Sequence, residues 1–240
     1  MHFYQEKYRQ QIDDLVAACH RCAQLNYVTS SGGNLCVRVD ENVLLITPTK
    51  TLKRTMRFED ICVIDLDGNI LFAPAGKKPT GEWPFHTRIM KNRPDIKAIV
   101  HSHPPVLTGF AIANTDLLTK AFLPEPIIEV GPILMVPYET PLSEKLSEQF
   151  DAVIHDSNGF LMENHGAVFC SPIDITDAVE LLNMAECMAT SILVSKMLGN
   201  AKPIDPAHVK EMDDVIRIRN LKMPGATGKF TSASELYGLE

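Results

Sequence analysis

The stretch Ile96-Lys97-Ala98-Ile99-Val100-His101-Ser102-His103-Pro104-Pro105 is a β-branched apolar run that ends in two histidines and is stopped by two prolines. Side chains two apart in an extended strand point to one face, so His101 and His103 direct both imidazoles into the same space where the strand ends. That arrangement suits metal ligation, and a proline-terminated strand end is a rigid, accessible place for a site. A lone His-x-His also describes two ordinary surface histidines. A third histidine tips the balance: His165 follows an apolar segment in Met162-Glu163-Asn164-His165-Gly166, the same strand-to-turn setting. Three imidazoles with an open fourth position describe a catalytic rather than a structural zinc site.

The elements that must position these residues are legible as patterns. Apolar residues at Tyr8, Ile12, Leu15, Val16, Cys19 and Ala23 step by three and four, which predicts an amphipathic helix ending near Leu25. Leu35–Val39 and Val43–Thr47 around Asp40-Glu41-Asn42 predict a hairpin, and Ile61–Asp65 with Ile70–Phe72 around Asp67-Gly68-Asn69 a second strand pair. The loops Ser30–Asn34 and Thr47–Thr51 offer hydroxyls, backbone N–H groups and Lys50 to a phosphate; read plainly, they are hairpin ends. Thr80-Gly81-Glu82-Trp83-Pro84 opens a helix with Phe85, Ile89 and Met90 on its apolar face, closed by Arg93-Pro94. Thr80 and Gly81 at its start have N–H groups for an anion. A helix packed on the sheet brings Glu82, at its beginning, near the end of the His101 strand.

Further along, Val106–Ala113 reads as a short helix, Pro124-Glu125-Pro126 as a break before two apolar runs, and Leu142–Ile154 as helical. Strands Gly159–Met162 and Ala167–Cys170 flank His165. The longest helix follows Pro172 and runs to Gly199-Asn200, with one more amphipathic helix from Pro206 to about Ile218 and a polar tail.

Composition bounds the function. With 240 residues, 45% apolar and 22% charged, the chain suits one domain over residues 1–240, its tail 219–240 mobile. A net charge of −7 without a basic block argues against nucleic acid or a membrane surface as partner, so an anionic substrate needs local devices. No apolar run approaches the roughly 18 residues of a membrane span, and the first residues lack a secretory core, which predicts a cytoplasmic protein. The six cysteines are scattered in apolar patterns and read as buried hydrophobes; Cys19-His20-Arg21-Cys22 falls in a helical pattern rather than after a strand.

The combination Gly33-Asn34, Thr47-Pro48-Thr49, Thr80-Gly81-Glu82 with His86, His101-x-His103-Pro104 and Asn164-His165-Gly166, in this order, resembles the class II aldolase/adducin family over roughly residues 8 to 200. The resemblance implies a three-layer αβα sandwich around a mostly antiparallel central sheet, and a homotetramer with sites at subunit interfaces. It implies Zn2+ or another divalent metal held by His101, His103 and His165, with Glu82 as acid/base that also touches the metal. It places a phosphate pocket at Gly33, Asn34, Thr49, Lys50, Thr80 and Gly81. The implied activity is cleavage of a small ketose phosphate, a sugar phosphate, to dihydroxyacetone phosphate and an aldehyde through an enediolate that the metal stabilises. Tyr237 resembles the tail tyrosine of the family's aldolases, which acts as proton donor or acceptor at the aldehyde end.

The chain departs from the family's pattern at three places. The family's aldolases carry glycine where Lys50 stands and two serines where Thr80-Gly81 stand, so hydroxyls are lost and a cation gained, which suits phosphate or carboxylate. The stretch Ala121-Phe122-Leu123 lacks a tyrosine that those aldolases supply there. Other outcomes on the same metal site are decarboxylation or 4-epimerisation of a related sugar or sugar-acid phosphate; the epimerases carry Asp at the Glu82 position. A metal-free interaction module is the reading from another class, and the complete set of three histidines and a glutamate argues against it.

Overall fold

The computed structural model describes residues 2–239. The strands β1 (Asn34–Asp40), β2 (Val43–Ile46), β3 (Cys62–Ile64), β4 (Ile70–Phe72), β5 (Ala98–Ser102), β6 (Leu134–Val136), β7 (Gly159–Met162) and β8 (Gly166–Ser171) form one sheet, in the order β4-β3-β2-β1-β5-β8-β7-β6. Neighbours pair antiparallel throughout, except for the parallel pair β6 and β7. The helices are α1 (Phe3–Lys7), α2 (Arg9–Gln24), α3 (Trp83–Asn92), α4 (Pro105–Ala113), α5 (Pro124–Glu129), α6 (Glu144–Glu148), α7 (Ile175–Leu198), α8 (Pro206–Arg219) and α9 (Ala233–Leu236).

Strand alternation sorts the core into two faces. Ala98 and Val100 of β5 join Leu35 and Val37 of β1 in an apolar layer with α2, α4 and α7. Ile99 and Cys36 point the other way, into a layer with Phe85, Ile89 and Met90 of α3 and Leu146 of α6. Helices therefore cover both faces of a mostly antiparallel sheet, as the resemblance implies. Ile99 and Val100 are fully buried, each burial contributing roughly 1.5–3 kcal/mol. A one-residue slip of β5 would turn this set around and carry His101 to the opposite face, so core packing fixes the ligand's direction.

Several boundaries differ from the sequence reading. The predicted helix from Leu142 is delayed: Leu142 has φ +68°, Ser143 caps α6 by accepting the Leu146 N–H, and α6 gives way to a 3₁₀ turn at Gln149–Ala152. The prolines at 124 and 126 start α5 rather than only breaking the chain, because proline is tolerated in a first helical turn. By length and composition α7 is apolar enough to cross a membrane, yet Ala178, Leu182, Ala185 and Ala189 are fully buried in the sheet-facing core. The tail carries α9, whose Ala233 packs with Ala121, Ile127, Val209 and Ile216 in a third apolar cluster. Arg93, 2% exposed, ties this region to the start of β5 by donating to Asp95, to Asn158 and to the Ile154 and Gly225 carbonyls.

Candidate metal centre

The three histidines converge, with one ligand atom of each within 4.8 Å of the others. His101 lies fully buried next to the last residue of β5, and its Nδ1–H donates to the Ala167 carbonyl across the β5–β8 pairing at 2.9 Å. That bond fixes the tautomer and leaves Nε2 as a bare lone pair. The His103 N–H donates to the Tyr27 carbonyl at 2.8 Å, which anchors the exit of the strand. His165 lies in the β7–β8 turn, where its N–H donates to the Met162 carbonyl at 3.0 Å and Asn164 adopts φ +54°. Gly166 admits this approach: a Cβ there would stand 2.5 Å from the His103 ring and 2.6 Å from the Ser102 carbonyl oxygen.

His101 Nε2, His103 Nε2 and His165 Nδ1 are buried without a hydrogen-bond partner among the described residues. Orphaned buried polar atoms are costly, and the unpartnered Nε2 atoms of His101 and His103, with His165 Nε2 beside Glu82, fit a shared cation. Burial lowers the pKa of all three: His101 falls well below the ordinary range, His103 goes to about 4 with help from the charges of His165 and Lys53, and in His165 Glu82 opposes the fall. The rings are thus neutral near pH 7, which is the form that binds metal.

Glu82 sits at the N-cap of α3, 9% exposed. One carboxylate oxygen lies 3.5 Å from His101 Nε2 and the other 3.5 Å from His165 Nε2. Asn34, paired opposite His101 in the β1–β5 register, donates its Nδ2 to Glu82 at 2.7 Å, and its Oδ1 accepts from Nε2 of the fully buried His86. His86, whose pKa burial lowers to about 3, is therefore a neutral donor two bonds removed from Glu82. The group combines a cation site, a carboxylate able to carry a proton and a neutral relay that orients it.

Of the residues expected to form an anion pocket, Gly33, Asn34 and Thr80 adjoin this group. Gly33, at φ +71°, presses on β5 so closely that a Cβ would stand 2.8 Å from the His101 carbonyl oxygen. Thr80 is buried; its N–H is already donated to the Thr47 carbonyl, and its hydroxyl accepts from the Glu82 N–H. The Thr49 N–H is likewise used, by the Lys78 carbonyl, so neither N–H group is free for an anion. Gly81 lies beneath Leu142, whose Cδ2 would be 3.0 Å from an added Cβ. Lys50 is exposed, makes no hydrogen bond or ion pair among the described residues, and holds φ +53°, a backbone state that favours glycine. Tyr237 does not join the histidines: it packs against the third apolar cluster, and burial raises its phenol pKa. Two participants escaped the sequence reading. Glu186 on α7 accepts the Val106 and Leu107 N–H groups at the start of α4, and buried Lys53 lies beneath the two small-residue loops.

The chain thus presents an αβα sandwich with a three-histidine group able to hold a metal ion at one strand end, and a glutamate against it. The chain belongs to the class II aldolase/adducin family, whose N-terminal domain description matches residues 13–193. It is 36% identical over 165 residues to an L-fuculose phosphate aldolase of Methanococcus maripaludis, spanning 69% of this chain and 86% of the relative. It is 32% identical over 192 residues to a 3-oxo-tetronate 4-phosphate decarboxylase of Haemophilus influenzae, spanning 78% and 89%. The structure of a sugar-phosphate aldolase from Thermotoga maritima superposes with a TM-score of 0.71 at 26% identity, over 82% of this chain and 99% of that one. Class II aldolases are metal-dependent, and the family around this chain holds both aldolases and decarboxylases.

Proposed function

We propose that this chain is a metal-dependent aldolase that cleaves a small ketose phosphate to dihydroxyacetone phosphate and an aldehyde. The observation that carries the reading is Glu82, held by Asn34 with its two oxygens 3.5 Å from His101 and His165. Zinc or another divalent cation, bound by His101, His103 and His165, supplies Lewis-acid stabilisation of negative charge on substrate oxygens. In the cleavage, a hydroxyl proton leaves, the carbon–carbon bond breaks, and its electron pair passes to the carbon beside the carbonyl, which then takes a proton. Glu82 holds and delivers that proton, while Asn34 fixes the carboxylate's direction. Gly33, Asn34, Thr49, Lys50, Thr80 and Gly81 surround the anionic end of the substrate.

A second reading is supported by the Haemophilus influenzae relative: loss of carbon dioxide from a 3-oxo sugar-acid phosphate leaves the same kind of carbon for Glu82 to protonate. The two readings differ in the fragment released. Incubation with ketose 1-phosphates, followed by reduction of any dihydroxyacetone phosphate with a coupled dehydrogenase, tests the first; carbon dioxide release from 3-oxo-tetronate 4-phosphate tests the second. Product from the second substrate alone would replace aldol cleavage by decarboxylation. We also propose a cytoplasmic homotetramer, supported by the exposed Met197 and Leu198 at the end of α7 and by a net charge of −7 that disfavours nucleic-acid partners. Light scattering would give the mass of four chains.

A further inference from the structure

We infer that Lys53 is the positioning cation of the anion pocket, joining its two loops and supplying unshared positive charge for a phosphate or carboxylate; this rests on the anionic substrate proposed above. Lys53 is 1% exposed and ranks among the largest fully buried side chains. A buried ammonium is costly unless paired, yet Lys53 forms no ion pair among the described residues. Its Nζ donates only to the Ser31 carbonyl at 3.2 Å and the Thr51 carbonyl at 3.4 Å, both long bonds, so one of its three protons has no acceptor.

The two carbonyls belong to the two loops read as anion-binding. Ser31 precedes Gly32, where a Cβ would stand 3.1 Å from His103 Nδ1, and Gly33, which abuts the His101 carbonyl. Thr51 donates its hydroxyl to the Thr49 carbonyl on the other side of Lys50. One ammonium thus sets the separation of the loops from below, one residue away from atoms that touch the histidines. Its charge is felt at His103, and it feels Glu82 in turn. Among the pocket's two lysines, exposed Lys50 is screened by salt, whereas a buried charge is screened little. In a chain of net charge −7, with Glu82 already in the site, an anionic substrate needs such a fixed counter-charge.

The test uses the metal-loaded full chain and inorganic phosphate as probe, titrated by calorimetry at several salt concentrations. Lys53→Met removes charge and donors; Lys53→Gln keeps a donor for the carbonyls and removes only the charge. Both variants are expected to keep about one metal per chain, to bind phosphate at least tenfold more weakly at every salt concentration, and to keep the parent's salt dependence, because a buried charge is screened little. Weakening that disappears at high salt would be that of an exposed charge and would overturn the role of the buried one. Binding by Lys53→Gln equal to the parent's would overturn the inference altogether. If Lys53→Met does not fold, Lys53→Gln decides; if neither folds, the lysine is structural and the inference falls. A parent that binds no phosphate would instead remove the reading of an anionic substrate on which this rests.

Discussion

Replacing Glu82 by Gln separates proton transfer from everything else this side chain does. Gln has the same volume, and its carbonyl still accepts the Asn34 Nδ2, which lies 2.7 Å from the carboxylate, so the start of α3 is expected to hold. The amide cannot carry a proton. Loss of a general acid/base costs roughly 10²- to 10⁴-fold in rate, about 2.7–5.5 kcal/mol of barrier. A second effect follows from the 3.5 Å separations between the carboxylate and the His101 and His165 nitrogens. Removing a unit charge beside two of the three ligand rings would weaken the hold on a cation bound there. The assay therefore needs saturating metal. Solvent deuterium exchange into dihydroxyacetone phosphate, followed by proton NMR without aldehyde, isolates the proton step from bond cleavage. Exchange should fall at least about 100-fold, at about one metal per chain. Exchange within about threefold of the parent would refute the assignment and move the acid/base elsewhere.

His103→Ala should purify with less than about a tenth of the parent's metal and no measurable turnover, because one of three ligands is gone; elemental analysis showing full metal content would refute the ligand set. His86 gives a pH dependence whose sign is fixed by burial. Its pKa is about 3 folded and near 6.5 unfolded, so its neutral form favours the fold above pH 6.5, and this stability is lost as pH falls from 6.5 towards 3. The ceiling, at about 1.4 kcal/mol per pKa unit, is on the order of 4–5 kcal/mol. His86→Gln should flatten the decline of melting temperature between pH 7 and pH 4, and an unchanged slope would show that other groups set it. Lys50→Gly relieves a left-handed strain of roughly 1–2 kcal/mol against a loss of roughly 0.5–1 kcal/mol from the freer unfolded chain. The variant should be as stable as the parent or slightly more so, with a Michaelis constant raised several-fold at low salt only. An unchanged constant at low salt would leave that loop acting by its backbone alone.

What could be read without coordinates was whatever depends on a local period. The His101 and His103 pair follows from strand alternation, the α3 start from its cap and proline, and both hairpins from their turns. The role of Asn34 could not be read that way. Its place after Gly33 points to an anion pocket, whereas the structure shows that its amide also joins Glu82 to His86, residues 48 and 52 positions away in sequence. That contact exists because β1 pairs with β5 so that Asn34 stands opposite His101. A register between distant strands is set by the two apolar layers together, and no single segment encodes it.

Lys53 makes the same point about charge. Among Lys50, Arg54 and Arg57 it reads as one more solvated cation, and nothing in its neighbours' spacing sets it apart. It is buried because α2 packs on the turn Lys53–Thr55, which places Cys19 and Cys22 near its ammonium. The sequence pattern shows which face of an element is apolar, whereas the surroundings of a charge depend on which element covers it. Substitution at buried Lys53 should therefore disturb the site more than substitution at exposed Lys50.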